Sequence, residues 1–198
     1  MNITFTIGDA LNQAPIAGLS VCDHADQTNC ATTNNMGQAT LTLPDTDVTV
    51  DYSGAGYRTH LLSLRQGAGS GSVVTLAISN ANLPTLLALV GATDDMTKGH
   101  IGGRVNNVVG ATVSLVPASG GGPFYSATNG LPNPSLTSTT SAGTFFYTNV
   151  NPGTPDLGAM ATGLTCATQL GVIGAMPNQA DILVEAGAIT IVSNFVCQ

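Results

Sequence analysis

The sequence predicts an all-β protein, two tandem antiparallel β-sandwiches joined by a short helical linker. Three observations carry this. First, a chain of 198 residues holds 26 Thr and 24 Gly, while only 8% of its residues are charged. β-Branched Thr suits a pleated surface and Gly suits turns, whereas helical bundles are rich in Glu, Lys and Arg. Second, apolar and polar residues alternate along short runs such as Thr40-Leu41-Thr42-Leu43 and Val48-Thr49-Val50-Asp51-Tyr52. A period of two turns one face inward and the other to solvent. Third, the chain repeats itself. Gly18-Leu19-Ser20-Val21-Cys22 is echoed by Gly110-Ala111-Thr112-Val113-Ser114-Leu115. The run Thr32-Thr33-Asn34-Asn35-Met36-Gly37 is echoed by Thr139-Thr140-Ser141-Ala142-Gly143, and each copy then reaches a Pro-bearing turn, at Pro44 and at Pro152-Gly153. Repetition in the same order reads as two copies of one module.

The copies occupy residues 1–80 and 99–198, with a linker over 81–98. In the first, strands are expected near 2–8, 17–22, 29–33, 38–43, 47–53, 57–64 and 72–79, with Gly67-Ala68-Gly69-Ser70-Gly71 as a flexible turn. In the second, they are expected near 99–106, 111–117, 124–128, 136–140, 144–149, 156–162, 181–185 and 188–197. Gly- and Pro-rich loops fall at 119–123 and 129–134. In the linker, Pro84 opens and Gly91 closes a helical pattern in which Leu83, Leu86, Leu87 and Val90 share one face. That face calls for burial, so the linker is expected to be ordered.

Charge and length exclude several classes. A net charge of −7 repels a phosphate backbone, so no nucleic-acid partner is expected. No run of about 18 apolar residues offers a membrane span. The N-terminus lacks the basic start and apolar core of a signal peptide, so any native targeting segment would lie upstream.

Four cysteines divide evenly between the copies, Cys22 and Cys30 in one and Cys166 and Cys197 in the other. None has metal-ligand spacing. One disulfide per copy is the expectation, and with it an extracellular, periplasmic or cell-surface location. The alternative is four buried thiols in a cytosolic protein.

Gly99 to Val105, Gly110 to Leu115 and Thr139 to Gly153 together resemble the carboxypeptidase regulatory-like (transthyretin-like, Cna-B-like) superfamily of Ig-like sandwiches. Residues 7–64 carry a looser version. The resemblance implies an Ig-like, prealbumin-like fold in each copy and an accessory role on secreted or surface proteins. Tandem copies with a segment such as Asp95-Met96-Thr97-Lys98-Gly99-His100 are similar to predicted bacterial surface lipoproteins, whose lipid anchor would lie upstream and be the only tie to a membrane. The resemblance also raises an intramolecular isopeptide between Lys98 and Asn194, promoted by Asp181 or Glu185. The polar surroundings of Lys98 argue against the burial that this chemistry needs. Residues 166–187 depart from the family pattern and read as an insertion.

Little in the sequence carries chemistry. There is no G-x-S-x-G elbow and no H-E-x-x-H, and Glu185 is the single Glu. The first expectation is therefore a non-catalytic structural or interaction module, acting as a monomer on a protein or surface-polymer partner. A second is a carbohydrate- or polymer-binding module using loops around 119–134, with Tyr125, Phe124 and Asn129 as contacts. A third is a hydrolase without a recognisable motif. No organic cofactor is implied. His24, His60 and His100 have no metal-ligand spacing. Calcium is the metal that loop aspartates would suit, with Asp94 and Asp95 the first pair to test. Phe146 is expected inside, Tyr147 on the rim, and Tyr57 at a turn with its hydroxyl on backbone.

Overall fold

The computed structural model describes residues 1–65, 67, 71–106, 108–192 and 194–198. Of the expected turn at 67–71, residues 68–70 lie outside the described residues. The first copy forms β1 (Asn2–Asp9), β2 (Ser20–Asp23), β3 (Asp26–Thr32), β4 (Gln38–Thr42), β5 (Val48–Gly54), β6 (Tyr57–Leu64) and β7 (Gly71–Ala77). A helix, α1 (Leu83–Leu89), follows. The second copy forms β8 (Gly99–Asn106), β9 (Thr112–Val116), β10 (Gly121–Ser126), β11 (Pro132–Asn133), β12 (Thr144–Val150), β13 (Asp156–Met160), β14 (Cys166–Thr168), β15 (Gln179–Asp181), β16 (Ile189–Ile191) and β17 (Phe195–Cys197).

Alternation does what the pattern predicts. In β1, Ile3, Phe5 and Ile7 are buried, and the Thr residues between them face outward. Sheet β4-β1-β7 lies on one side of the first core. Strands β3-β2-β5-β6 supply the other, with Val21, Val50, Tyr52, Leu62 and Leu64 inside. The second core lies between sheet β15-β13-β9 and the strands around β8 and β12, with Val105, Leu115, Leu157 and Phe195 at its centre.

Several strand boundaries differ from expectation. Residues 136–140 form no strand, the strand expected at 181–185 lies instead at Gln179–Asp181, and residues 166–187 supply β14 as well. The expected run 188–197 breaks into β16 and β17. Nor is the pairing wholly antiparallel. β7 runs parallel to β1, and β16 and β17 run parallel to β8. In each copy the last strand lies alongside the first.

The largest departure is that the two sandwiches are not separate sheets. β16 pairs with β8 of its own copy and with β6 of the other. One eleven-stranded sheet therefore runs through the whole molecule. Helix α1 covers its seam. Leu83, Leu86 and Leu87 bury against Ile78, Phe146 and Ile189 in a third apolar cluster. The helix ends where Gly91 adopts φ +70°, with the Gly91 and Ala92 N–H groups donating to the Ala88 and Leu87 carbonyls. This is the glycine-terminated stop that the sequence signals.

A second glycine has a packing reason. Gly103 sits in mid-strand, where glycine is unfavourable. A Cβ there would lie 2.3 Å from the Phe145 ring. The ring occupies the space a side chain would need, so the pair Gly103–Phe145 packs as a unit across β8 and β12.

Candidate functional site

A network of polar side chains lies at the seam. Its centre is Ile189 of β16, which is fully buried and in register with His60 on β6 and His100 on β8. Residues paired across neighbouring strands share a face, so both histidines lie on the side that α1 covers.

His60 is fully buried. Its Nδ1–H donates to the Arg58 carbonyl over 2.8 Å, and its Nε2 accepts the Ile78 N–H over 2.9 Å. The ring stacks on Tyr52 with centroids 5.2 Å apart. Burial pushes the imidazole down to about 4, and the neutral ring is the one whose hydrogen bonds fit.

His100 has different company. Its Nε2–H donates to Asp94 Oδ1 over 3.0 Å, and its Nδ1 accepts the Asn149 N–H over 3.3 Å. Its ring stacks on Phe146. Burial lowers its affinity for a proton, and Asp94 opposes that in part. Asp94 in turn accepts both terminal nitrogens of Arg58, at 3.2 and 2.6 Å. The Arg58 guanidinium holds the Asp94 carboxyl below the usual carboxylate range. Arg58 comes from β6, Asp94 from the linker and His100 from β8, so one chain of charge-assisted bonds spans both copies. Asn149, at φ +52°, pins the linker further. Its Nδ2 donates to the Thr93 carbonyl and its Oδ1 accepts the Asp95 N–H.

Two more contacts cross the seam. His24 lies between Asp51 Oδ2 at 3.2 Å and Glu185 Oε1 at 3.3 Å, the latter from the segment leading into β16. The Arg65 N–H donates to the Leu170 carbonyl, and Leu170 packs on the first core. Leu170, in the segment 166–187, thus reaches back to the other copy.

The expected site residues fare unevenly. Tyr125 is a core residue, not a loop platform. It is 2% exposed on β10, and its hydroxyl accepts the Val113 N–H over 2.8 Å. Tyr147 is likewise buried rather than on the rim, and donates to the Val113 carbonyl. Together they satisfy the backbone of β9, and burial raises both phenol pKa values. Phe124 is half-buried, and Asn129 is exposed with its Oδ1 bonded to the Leu131 N–H. The proposed stacking platform is therefore not assembled. Tyr57 reaches Asp9 Oδ2, a side chain and not backbone.

Asp94 and Asp95 spend their oxygens on the protein. Asp94 serves Arg58 and His100, and Asp95 accepts from Thr97 N–H and Oγ1, which lowers its pKa. Among the described residues no group of three or more His, Cys, Asp or Glu is placed to hold a metal ion. Lys98 Nζ donates to Asn151 Oδ1 over 2.6 Å in an exposed setting, so the structure brings it to Asn151 and not to Asn194. Disulfides join Cys22 to Cys30 across β2 and β3, and Cys166 to Cys197 across β14 and β17. No described helix is long and apolar enough to cross a membrane.

Sequence reasoning missed Arg58, Asn149 and the shared register of His60 and His100. No local signal marks them. The two histidines are 40 positions apart, and only the insertion of β16 brings them to one residue.

No protein-family model and no curated protein matches the chain. Among solved structures it is similar to a cohesin–X-dockerin complex chain from Acetivibrio cellulolyticus, at 17% identity over 49% of this chain with TM-score 0.35. It spans 65% of that chain's length. It is also similar to the minor pilin of Streptococcus agalactiae, at 12% identity over 98% of this chain and 95% of the pilin, with TM-score 0.30. The shaft pilin of Lactobacillus rhamnosus GG matches at 13% identity over 98% of this chain and 97% of the pilin, with TM-score 0.28.

Proposed function

We propose that the chain is a non-catalytic structural or interaction module of a secreted or cell-surface protein. In this reading residues 1–80 and 99–198 are two Ig-like domains, and the linker over 81–98 is part of a rigid joint. The observation that carries it is the use made of the histidines. All three hold position at or beside the seam. His60 has both ring nitrogens on backbone partners, His100 bonds Asp94 and Asn149, and His24 lies between two carboxylates. Groups that run acid–base chemistry in a hydrolase are here fixing the orientation of two sandwiches. The disulfides fit an oxidising compartment.

Small-angle scattering of the intact protein tests this near neutral pH. One fixed orientation of the halves, unchanged by added salt, is expected, since a buried joint is screened little. A profile that needs an ensemble of orientations overturns the reading. So does turnover of ester, peptide or glycoside substrates that is lost in His24→Ala.

A further inference from the structure

The seam contains two buried histidines, each holding it through one unprotonated ring nitrogen. Ile189 lies in register with His60 on one side and His100 on the other. Each histidine uses an unprotonated ring nitrogen to accept a backbone N–H. For His60 the donor is Ile78, which leads from β7 into α1; for His100 it is Asn149, near the end of β12. A proton on either nitrogen sets two donors against each other and leaves a buried N–H without a partner.

The charges around the pair determine the response. His60 faces Tyr52, Ile78 and Ile189, and the charge acting on it is Arg58 of its own strand, which disfavours a second cation. His100 faces Phe146, Asn149 and the Asp94 carboxylate, which Arg58 already engages through two nitrogens. Helix α1, which packs over the seam, carries no charged side chain. Beside the seam, His24 lies between Asp51 and Glu185, with a carboxylate at each ring nitrogen. That pair clamps the turn before β16 and does not touch His60 or His100.

We propose that acid opens this joint: protonation of His60 and His100 releases β16 and α1 from the sheet while both sandwich cores stay folded. The molecule would then pass from a rigid tandem to two linked domains. The sign follows from burial. In the open joint His60 regains an ordinary pKa near 6.5, whereas in the closed joint it binds a proton only at about 4. Between those values the open form binds more protons, so closure weakens as pH falls. From about pH 7 to about pH 4.5, His60 alone favours opening on the order of 50-fold.

Amide hydrogen exchange on the intact disulfide-bonded protein, corrected for intrinsic rates, tests this. The amides of Ile78, Asn149 and Thr190 are expected to gain exchange on the order of 50-fold over that pH range, while Phe5, Val50 and Leu157 stay protected. His60→Gln and His100→Gln keep an acceptor and a donor without titrating, and the double variant should lose the seam response. Scattering of the wild type over the same range supplies a reading independent of the variants, with an ensemble of orientations expected in acid. The proposal fails if seam amides do not respond, if the core amides open together with them, or if the double variant responds as the wild type does.

Discussion

In both copies the last strand runs parallel to the first, but its outer edge meets a different fate. In the first copy β7 lies beside β1, and what reaches its far side is the Tyr52 hydroxyl, donating to the Leu76 carbonyl over 2.7 Å. Val74 on that strand is 76% exposed. In the second copy the corresponding edge is filled: β6 lies on β16, and β14 lies on β17. The disulfides follow the same division. Cys22–Cys30 closes a separation of 8 residues within one hairpin. Cys166–Cys197 closes a separation of 31 and ties β14 to β17. Two copies of one pattern thus differ in whether the final strand ends a sheet or continues it.

The largest test of this difference is removal of each disulfide. Loop-closure entropy assigns about 4 kcal/mol to Cys166–Cys197 and about 2–3 kcal/mol to Cys22–Cys30. Urea unfolding of Cys166→Ser/Cys197→Ser and of Cys22→Ser/Cys30→Ser should preserve that order, and equal losses would remove the asymmetry. Next is Ile189→Ala at the joint. Truncating this buried side chain should cost about 3 kcal/mol and turn one calorimetric transition at neutral pH into two. A single shifted transition would mean that the joint is not what couples the halves. Tyr125→Phe should cost about 1–3 kcal/mol, because the buried Val113 N–H loses its acceptor; a fully stable variant would show that water replaces the hydroxyl. Smallest is Val74→Lys, on the open edge of β7, which should change stability by less than about 0.5 kcal/mol.

Much of the layering was legible because it is local. The alternation in β4 and β5, the Pro84–Gly91 bounds of α1 and its Leu83, Leu86 and Leu87 face all follow from neighbours within a few positions. The tyrosines were not legible. Tyr125 and Tyr147 have the amphipathic character of a binding platform, and only the position of β9 shows that their hydroxyls belong to its backbone. The insertion of β16 was also hidden. Ile189-Thr190-Ile191 reads as a strand, but a three-residue strand does not say whose edge it joins. Register across copies is set by tertiary packing, and the joint, with Arg58 and Asn149, follows from that register.

The position of β16 has a consequence for biosynthesis. The strand that unites the copies lies at residues 189–191, so it leaves a ribosome after both β6 and β8. Until then the first copy can close its own core, but β6 and β8 both present bare edges, which invite pairing with other chains. Joining of the copies therefore waits on β16, which follows both strands it bridges in chain order. Cleavage ahead of β16 would leave the edges of β6 and β8 that it covers unpaired.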